Sequence, residues 1–325
     1  MKKLWLIKGL VLLIALGLSF VTCTENYDQD TYHEDPELHR KDSLALTLIN
    51  AVYPDSIKST VNWLQGMNTR FAFASNHRSV AIKIRNRFIR MGYTDSFIDS
   101  FWVSMTWNNQ NYAMWEYNVI APLYGSSHPD SVIIVGAHYD DILNTGDPFS
   151  TVPGANDNAS GVAAAIEIAR VMKLKNFSPD ISIEFVAFGA EELGLLGSAD
   201  YAAKLALSGR PVKMMINNDM IAFEHNTNRS FWSVNIMNYD DTEPLWYEAK
   251  TLCSKYTGLN PLNDNTNNKK SDSYSFHTKS YKAIYFAANS TDPNYHTVND
   301  LSINCNFNYC ADVVRISCAL LVYEN

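Results

Sequence analysis

This 325-residue chain lacks the short motifs by which several common enzyme classes are recognised. It contains no Gly-x-Ser-x-Gly elbow, no glycine-rich phosphate loop and no Cys-x-x-Cys pair. The first absence argues against an α/β-hydrolase with a serine nucleophile, and the second against a P-loop enzyme. The third argues against a thioredoxin-like redox centre. Any catalytic chemistry must therefore come from a different set of side chains.

The chain also has little basic charge. It carries 34 acidic residues against 26 lysines and arginines, a formal net charge of −8. Removal of residues 1–22 would take away three lysines and no acid, which moves the charge to −11. Because nucleic-acid binding depends on clustered lysine and arginine, we expect no nucleic-acid partner. The 46% hydrophobic and 12% aromatic content is typical of a globular enzyme with a large core.

An apolar run near the N-terminus predicts export. Residues 1–8 form a basic segment, and Gly9 to Val21 form an apolar segment that is short for a membrane span but typical of a secretory signal. Cys23 follows, where a bacterial lipoprotein carries its lipidated cysteine. We predict a signal peptide over 1–22, a lipid-anchored polar tether over 23–42, and a protein facing the periplasm or cell surface with no other membrane attachment. The alternative is an ordinary cleavage site near an unrelated cysteine, since Thr22 is not the usual small residue.

Four further cysteines, which an exported protein could pair in three ways, lie in the C-terminal third of the chain. They are Cys253, Cys305, Cys310 and Cys318. We expect a disulfide between Cys305 and Cys310, which would close a short loop near His296. Free buried thiols are the alternative.

The periodicity of apolar residues predicts an α/β fold. Helical spacing occurs over 43–52, 56–68 and 79–91, and a hairpin follows with strands at 96–105 and 112–121. Strands and helices then alternate. Further strands are predicted at 132–137, 181–188, 212–218, 231–237 and 282–287, and helices at 159–173, 194–207, 242–257 and 306–323. Apolar strands separated by helices indicate a mostly parallel sheet covered on both faces, a three-layer α/β/α sandwich in one domain over 43–325.

Candidate metal ligands follow these strands where each one ends. His138, the pair Glu191-Glu192, Asp219 and His296 come after four different strands, and Asp157 precedes the helix predicted from 159. Each has an ordinary explanation alone, such as a helix cap or a satisfied loop histidine. Ligands in parallel sheets gather at the carboxyl ends of the strands, however, so we expect all of them to meet at one edge.

Histidine and carboxylate ligands suit zinc, and this set exceeds the four positions of one ion. We therefore expect two zinc ions, about 3.5–4 Å apart in sites of this kind, with Asp157 as the bridge. Asp140 can accept the N–H of His138 that faces away from the metal. Glu191 and Glu192 should point to different sides of an extended loop, so that one binds metal and the other acts as general base.

At these motifs the chain resembles the co-catalytic zinc aminopeptidases of the bacterial leucyl aminopeptidase and aminopeptidase Y type, over roughly residues 60–320. The motifs are Gly136-Ala-His-Tyr-Asp140, Pro153-Gly-Ala-Asn-Asp-Asn-Ala-Ser-Gly161, Glu191-Glu-Leu-Gly-Leu-Leu-Gly-Ser198, Asn218-Asp-Met, Ser271-Asp-Ser-Tyr-Ser-Phe and Tyr295-His-Thr. The resemblance departs at Ser273, where the family often has histidine.

The resemblance implies a zinc-exopeptidase fold and a role for each residue. It assigns His138 and Asp219 to one zinc, Glu192 and His296 to the other, and Asp157 to both. It makes Glu191 the general base, adds Tyr295 as a donor to the oxyanion, and implies a cis Asp157–Asn158 peptide. The expected reaction is hydrolysis of the first bond of a peptide with a free N-terminus, by a water that two zinc ions activate.

Three other functions stay open. A glutaminyl-peptide cyclase, which is a single-zinc acyltransferase, shares much of the ligand set, but the Leu-Gly-Leu-Leu-Gly-Ser run favours the aminopeptidase. A carboxypeptidase or dipeptidase of the same fold would shorten peptides differently. A surface binding lipoprotein without catalysis is the third alternative, although such relatives typically lose ligands and none is missing here.

Overall fold

A computed structural model describes residues 35–325. The predicted signal peptide, Cys23 and the first part of the predicted tether lie outside these residues. Within 35–325, no helix is both long and apolar enough to cross a membrane.

Eight helices and eight strands make up the described part of the chain, apart from short single turns. The helices are α1 Pro36–Ile49, α2 Pro54–Gln65, α3 His77–Arg90, α4 Ser160–Leu174, α5 Leu196–Ser208, α6 Glu243–Tyr256, α7 Ser273–His277 and α8 Phe307–Glu324. The strands are β1 Phe97–Trp107, β2 Gln110–Leu123, β3 His128–His138, β4 Ile181–Phe188, β5 Val212–Asn218, β6 Ser233–Met237, β7 Asn260–Leu262 and β8 Ala283–Ala288.

The strands form one eight-stranded sheet in the order β1-β2-β4-β3-β5-β8-β6-β7. Its four central strands, β4, β3, β5 and β8, are parallel neighbours. The β1–β2 hairpin joins β4 in antiparallel orientation, and β6 joins β8 in the same way at the other side. The predicted mostly parallel sheet is therefore confirmed for the centre that carries the site.

Alternate side chains of each central strand pack into two separate cores. Ile133 and Val135 of β3 belong to the larger core, which α1 to α4, α6 and α8 cover. Val132 and Ile134 face the opposite core, which α5 and α7 cover. All four side chains are fully buried. Because both faces of the strand are covered, its sequence is continuously apolar instead of alternating, and the three-layer prediction is confirmed.

The predicted elements are nearly all present, with three differences. α1 begins at Pro36 instead of residue 43, because Asp35 accepts a hydrogen bond from the backbone of Glu37 at 2.9 Å and proline suits the first helical position. The end of the predicted tether is thus helical. β7 and α7, with three and five residues, were not predicted because they are too short to show periodicity.

The expected disulfide is wrong. Cys253, Cys305, Cys310 and Cys318 are all free. Cys310 lies in the first turn of α8 and is fully buried in the larger core. Cys305 precedes the helix, and its thiol donates to the carbonyl of Leu301 at 3.8 Å. The alternative of free thiols is the one that the structure supports, since three of the four are buried in apolar surroundings.

Candidate metal centre

The five predicted segments meet at the carboxyl edge of the parallel strands. His138 ends β3, and the Glu191-Glu192 pair and Asp219 follow the ends of β4 and β5. His296 lies in the loop after β8, and Asp157 lies in the loop that leads into α4. Two groups of ligand atoms, each within 4.8 Å of one another, share His138. One group adds Asp157 and Glu192, and the other adds Glu191 and Asp219.

Asp157 lies between the two histidines. Its Oδ1 is 3.3 Å from Nε2 of His138, and its Oδ2 is 3.0 Å from Nε2 of His296. The backbone N–H groups of Asn156 and Asp157 donate to the two carboxylate oxygens of Asp300 at 2.8 and 2.9 Å, which fixes the loop. The peptide between Asp157 and Asn158 is cis, as the resemblance implied. One carboxylate therefore offers an oxygen to each histidine.

Each histidine has a second carboxylate of its own. Asp219 Oδ1 lies 3.4 Å from Nε2 of His138, and Glu192 Oε1 lies 3.0 Å from Nε2 of His296. Ligand atoms around a tetrahedral zinc, with bonds near 2.0–2.2 Å, are about 3.3–3.5 Å apart. Asp219 Oδ1 is also buried without a hydrogen-bond partner among residues 35–325. The spacing around His138 lies in this range, and the donor set of both histidines suits zinc.

The two adjacent glutamates face different histidines, but not for the reason expected. They lie in a tight turn instead of an extended loop, because the carbonyl of Glu191 accepts hydrogen bonds from the N–H groups of Gly194 and Leu195 at 2.8 and 2.7 Å. Gly194, with φ of +111°, adopts a conformation that favours glycine. Glu192 contacts His296, whereas Glu191 Oε2 remains 3.9 Å from His138.

Asp140 acts mainly on the glutamate turn and less directly on His138 than predicted. Its two oxygens accept the backbone N–H groups of Glu191 and Glu192 at 3.0 and 3.1 Å. The Nδ1 of His138 donates to the backbone carbonyl of Asp140 at 3.2 Å, and the carboxylate is farther away at 3.7 Å. The residue therefore links the end of β3 to the turn after β4.

Burial and mutual charge shift the titration of these groups. Burial raises the pKa of Glu191 well above its ordinary value and raises the pKa of Glu192 to about 8. Burial also opposes ionisation of Asp157, but hydrogen bonds from His138 and His296 hold its pKa well below its usual range. The carboxylates raise the pKa of His296 to about 10 against the effect of burial. Burial and mutual repulsion therefore oppose full ionisation of the clustered acids, an effect that a divalent cation would offset.

A cavity of about 620 Å³ opens over the cluster. Tyr295 lines it and is 44% exposed, with its ring stacked on His296 at a centroid distance of 3.7 Å. Leu195 and Met220 provide apolar wall surface. This volume is in the range of small-molecule binding sites.

The sequence did not predict the role of Arg70, whose guanidinium supports the loops that carry the site. It is 1% exposed, and its guanidinium donates to the carbonyls of Tyr139 at 2.7 Å, Pro153 at 3.0 Å and Gly154 at 2.7 Å. It also lies 3.1 Å from a carboxylate oxygen of Asp141. Arg70 thus joins the segment after His138 to the loop that carries Asp157. An isolated arginine in a helix-poor stretch gave no sequence signal for this role.

Comparison with known proteins places the chain in a family. The profile of Peptidase family M28 matches residues 118–321. The chain belongs to this family. It is 32% identical over 210 residues to a probable leucine aminopeptidase of Trichophyton verrucosum, a match that spans 62% of this chain and 54% of that protein. The chain thus aligns with about half the length of this curated relative.

Solved structures share the fold. The LapA aminopeptidase of Legionella pneumophila superposes with a TM-score of 0.73 at 20% identity, over 97% of this chain and 79% of that one. The glutaminyl cyclase of Bacteroides thetaiotaomicron superposes with a TM-score of 0.66 at 18% identity, over 84% of this chain and 99% of that one. The predicted zinc-exopeptidase type of α/β/α sandwich is confirmed.

Proposed function

We propose that this member of the M28 family is a zinc aminopeptidase that removes the N-terminal residue of peptides with two zinc ions. The observation that carries the proposal is the position of Asp157, whose two oxygens face His138 and His296 separately. The leucine aminopeptidase that it matches supports the substrate class. His138 and Asp219 would hold one ion, Glu192 and His296 the other, and Asp157 both.

Zinc bound there supplies Lewis acidity toward the scissile carbonyl and lowers the pKa of the attacking water. Glu191 is the general base, because it lies beside the cluster and is the one glutamate of the pair without an ion pair to His296. It takes the water's proton and then returns it to the leaving amine. Its buried position keeps this proton transfer away from bulk solvent.

Two further roles follow from the cavity wall. The phenol of Tyr295, which lines the cavity beside His296, donates a hydrogen bond to the oxyanion that develops on the carbonyl. The free α-amine of the substrate is held near Glu191 and Asp219, which confines cleavage to the N-terminus. An N-acetylated peptide should therefore resist cleavage.

Cyclisation of N-terminal glutamine is the second candidate, since a glutaminyl cyclase shares the fold. Two facing half-sites favour the aminopeptidase, because each histidine has its own carboxylate besides Asp157. A cyclase with a single zinc needs only one histidine with its carboxylates. Pyroglutamate formation together with one tightly bound zinc would decide for this alternative.

Glu191→Gln tests the general base. We expect the variant to keep its zinc while turnover of a leucyl-anilide falls by about 10²–10⁴-fold, the usual contribution of general acid–base catalysis. Glu192→Gln is the matched control, because the same change at the neighbouring residue should release zinc. Elemental analysis and anilide hydrolysis measure both effects. Unchanged turnover in Glu191→Gln would remove Glu191 as the base.

We also propose that the protein is exported and anchored through a lipid on Cys23, as the N-terminal segment predicts. Cys23→Ser should abolish incorporation of labelled fatty acid and release the protein from the membrane fraction. If the signal peptide is removed from the wild-type protein but no fatty acid is incorporated, the segment is an ordinary secretory signal.

A further inference from the structure

The wall of the active-site cavity contains a single lysine or arginine among the described residues. This residue is Lys270, which lies on the exposed side of the wall. Its ammonium group makes no ion pair, hydrogen bond or ring contact with any residue of 35–325. Lys269, its neighbour, does not line the cavity and lies over the ring of Tyr274 at 5.9 Å. The two adjacent cations therefore have different surroundings.

Hydrogen bonds fix the loop that carries Lys270. The side chains of Asn265 and Asn268 donate to Asn238, at the end of β6, at 3.0 and 2.8 Å. The N–H of Lys270 donates to the carbonyl of Asn267 at 3.0 Å. The next residue, Ser271, donates its hydroxyl to Asp219 at 2.7 Å. The backbone of Lys270 is thus held beside a metal ligand, while its long side chain remains free to reach a bound molecule.

The charges of the cavity leave Lys270 without a partner. Two zinc ions would balance the four carboxylates of Asp157, Glu191, Glu192 and Asp219. Asp292 also lines the cavity, but its oxygens accept hydrogen bonds from Asn156 at 2.9 Å and Asn294 at 2.8 Å. It forms no ion pair with Lys270 within the described part of the chain. The cavity wall also includes the uncharged polar residues Asn267 and Thr291.

We propose that Lys270 binds a carboxylate of the peptide substrate and directs the enzyme toward peptides with a negative charge close to the scissile bond. This inference rests on the proposed aminopeptidase function. An acidic side chain and the C-terminal carboxylate of a dipeptide share the required chemistry. A lysine ammonium is a compact charge that attracts either group, most strongly in a partly water-excluded cavity.

Matched substrates distinguish the two sources. Aspartyl- and asparaginyl-anilide differ by one side-chain charge, carry no C-terminal carboxylate and cannot form pyroglutamate. Leu-Gly and Leu-Gly-amide differ only by the C-terminal charge. For each pair the ratio of kcat/KM, charged to neutral, is measured in the full-length zinc-loaded enzyme. The pair whose ratio falls when Lys270 is substituted identifies the carboxylate that Lys270 binds.

Lys270→Gln, Lys270→Glu and Lys270→Arg are compared with Lys269→Gln, which removes the same charge one residue away. We expect the ratio for the responding pair to fall about threefold to tenfold in Lys270→Gln, as for a partly exposed ion pair. Lys270→Glu should lower it further, and Lys270→Arg should largely preserve it. Lys269→Gln should leave it unchanged, and high salt should weaken the preference of the unmodified enzyme.

Equal ratios in the unmodified enzyme and Lys270→Gln, or equal losses in Lys269→Gln and Lys270→Gln, would overturn the role of Lys270. Hydrolysis of leucyl-anilide by the unmodified enzyme is the separate test of the proposed function. If that hydrolysis occurs and the ratios do not respond, the aminopeptidase proposal stands and the specificity proposal fails. If leucyl-anilide, the aspartyl- and asparaginyl-anilides and Leu-Gly all remain uncleaved, the aminopeptidase function itself is wrong.

Discussion

Buried acids lie at both ends of the parallel strands, but their partners differ. Near the amino end, Glu184 of β4 is 3% exposed and is paired with Arg210 at 2.5 Å and with the hydroxyl of Tyr201 at 2.5 Å. At the carboxyl edge, the imidazoles of His138 and His296 are the possible cationic partners of the clustered carboxylates. Asp219 Oδ1 has no hydrogen-bond partner among residues 35–325.

The comparison separates acids that pair with a cation of the protein from acids that lack such a cation. The protein supplies its own cation to Glu184, so that pair needs nothing from solution. The carboxyl edge has more carboxyl groups than imidazoles, and burial raises the pKa of Glu191 and Glu192. A bound metal ion would favour the ionised form of these carboxyl groups, which burial alone makes costly. Substitutions at the two ends should therefore respond differently to zinc.

The largest effect is expected for Arg70→Met, which removes the buried cation that supports the loops of the acid–histidine cluster. Asp141 would be left buried without its cation, and the carbonyls of Tyr139, Pro153 and Gly154 would each lose a hydrogen bond. We expect the free energy of unfolding to fall by about 3–5 kcal/mol and zinc affinity to fall with it. Urea denaturation and zinc titration measure the two quantities. Wild-type zinc affinity in the folded variant would contradict the positioning role.

Removal of zinc should destabilise the protein nearly as much. A ligand present at about 100–1,000 times its dissociation constant contributes roughly 3–4 kcal/mol to the free energy of unfolding. Calorimetry with and without a chelator should show this loss, and zinc should restore the melting temperature. If the chelator leaves stability and activity unchanged, the acid cluster does not bind the metal as described.

Arg210→Met should destabilise the protein by about 2–3 kcal/mol without any change in zinc content, because it leaves Glu184 without its cation far from the metal ligands. The double variant Glu184→Leu with Arg210→Met should recover much of the loss, since a well-packed apolar pair often replaces an ion pair without penalty. Denaturation and elemental analysis test both points. A zinc deficit in Arg210→Met would show that the two ends are coupled.

Ser271→Ala is expected to have the smallest effect. The hydroxyl orients Asp219 through the 2.7 Å hydrogen bond, and loss of such a partner typically lowers metal affinity about tenfold. Competition with a chromogenic chelator measures the affinity. Ser230→Ala, at an exposed position far from the cluster, is the control and should leave it unchanged.

The sequence predicted where the candidate ligands cluster better than it predicted the residues that support them. His138, Glu192 and Asp219 could be found because each follows a strand that is recognisable from its apolar residues, and parallel topology brings strand ends together. Asp300 and Arg70 could not be found in this way. Their roles depend on hydrogen bonds to backbone groups that are distant in sequence, which periodicity does not encode.

The sequence also did not predict the backbone conformation of two short segments. The glutamate pair was expected in an extended loop, but the turn at Gly194 sets its direction. The expected bond between Cys305 and Cys310 failed because the first turn of α8 directs Cys310 into the core. In both cases the backbone conformation between the two residues decided the outcome.

The zinc content of the purified, active protein tests the central claim most directly. Asp157 offers one oxygen to each of two histidine–carboxylate pairs, so elemental analysis should find two zinc ions per chain. Stepwise removal of both ions should abolish leucyl-anilide hydrolysis, and Asp157→Asn should weaken the binding of both. One tightly held zinc per chain, with full activity and with pyroglutamate as the product from glutaminyl peptides, would contradict the account.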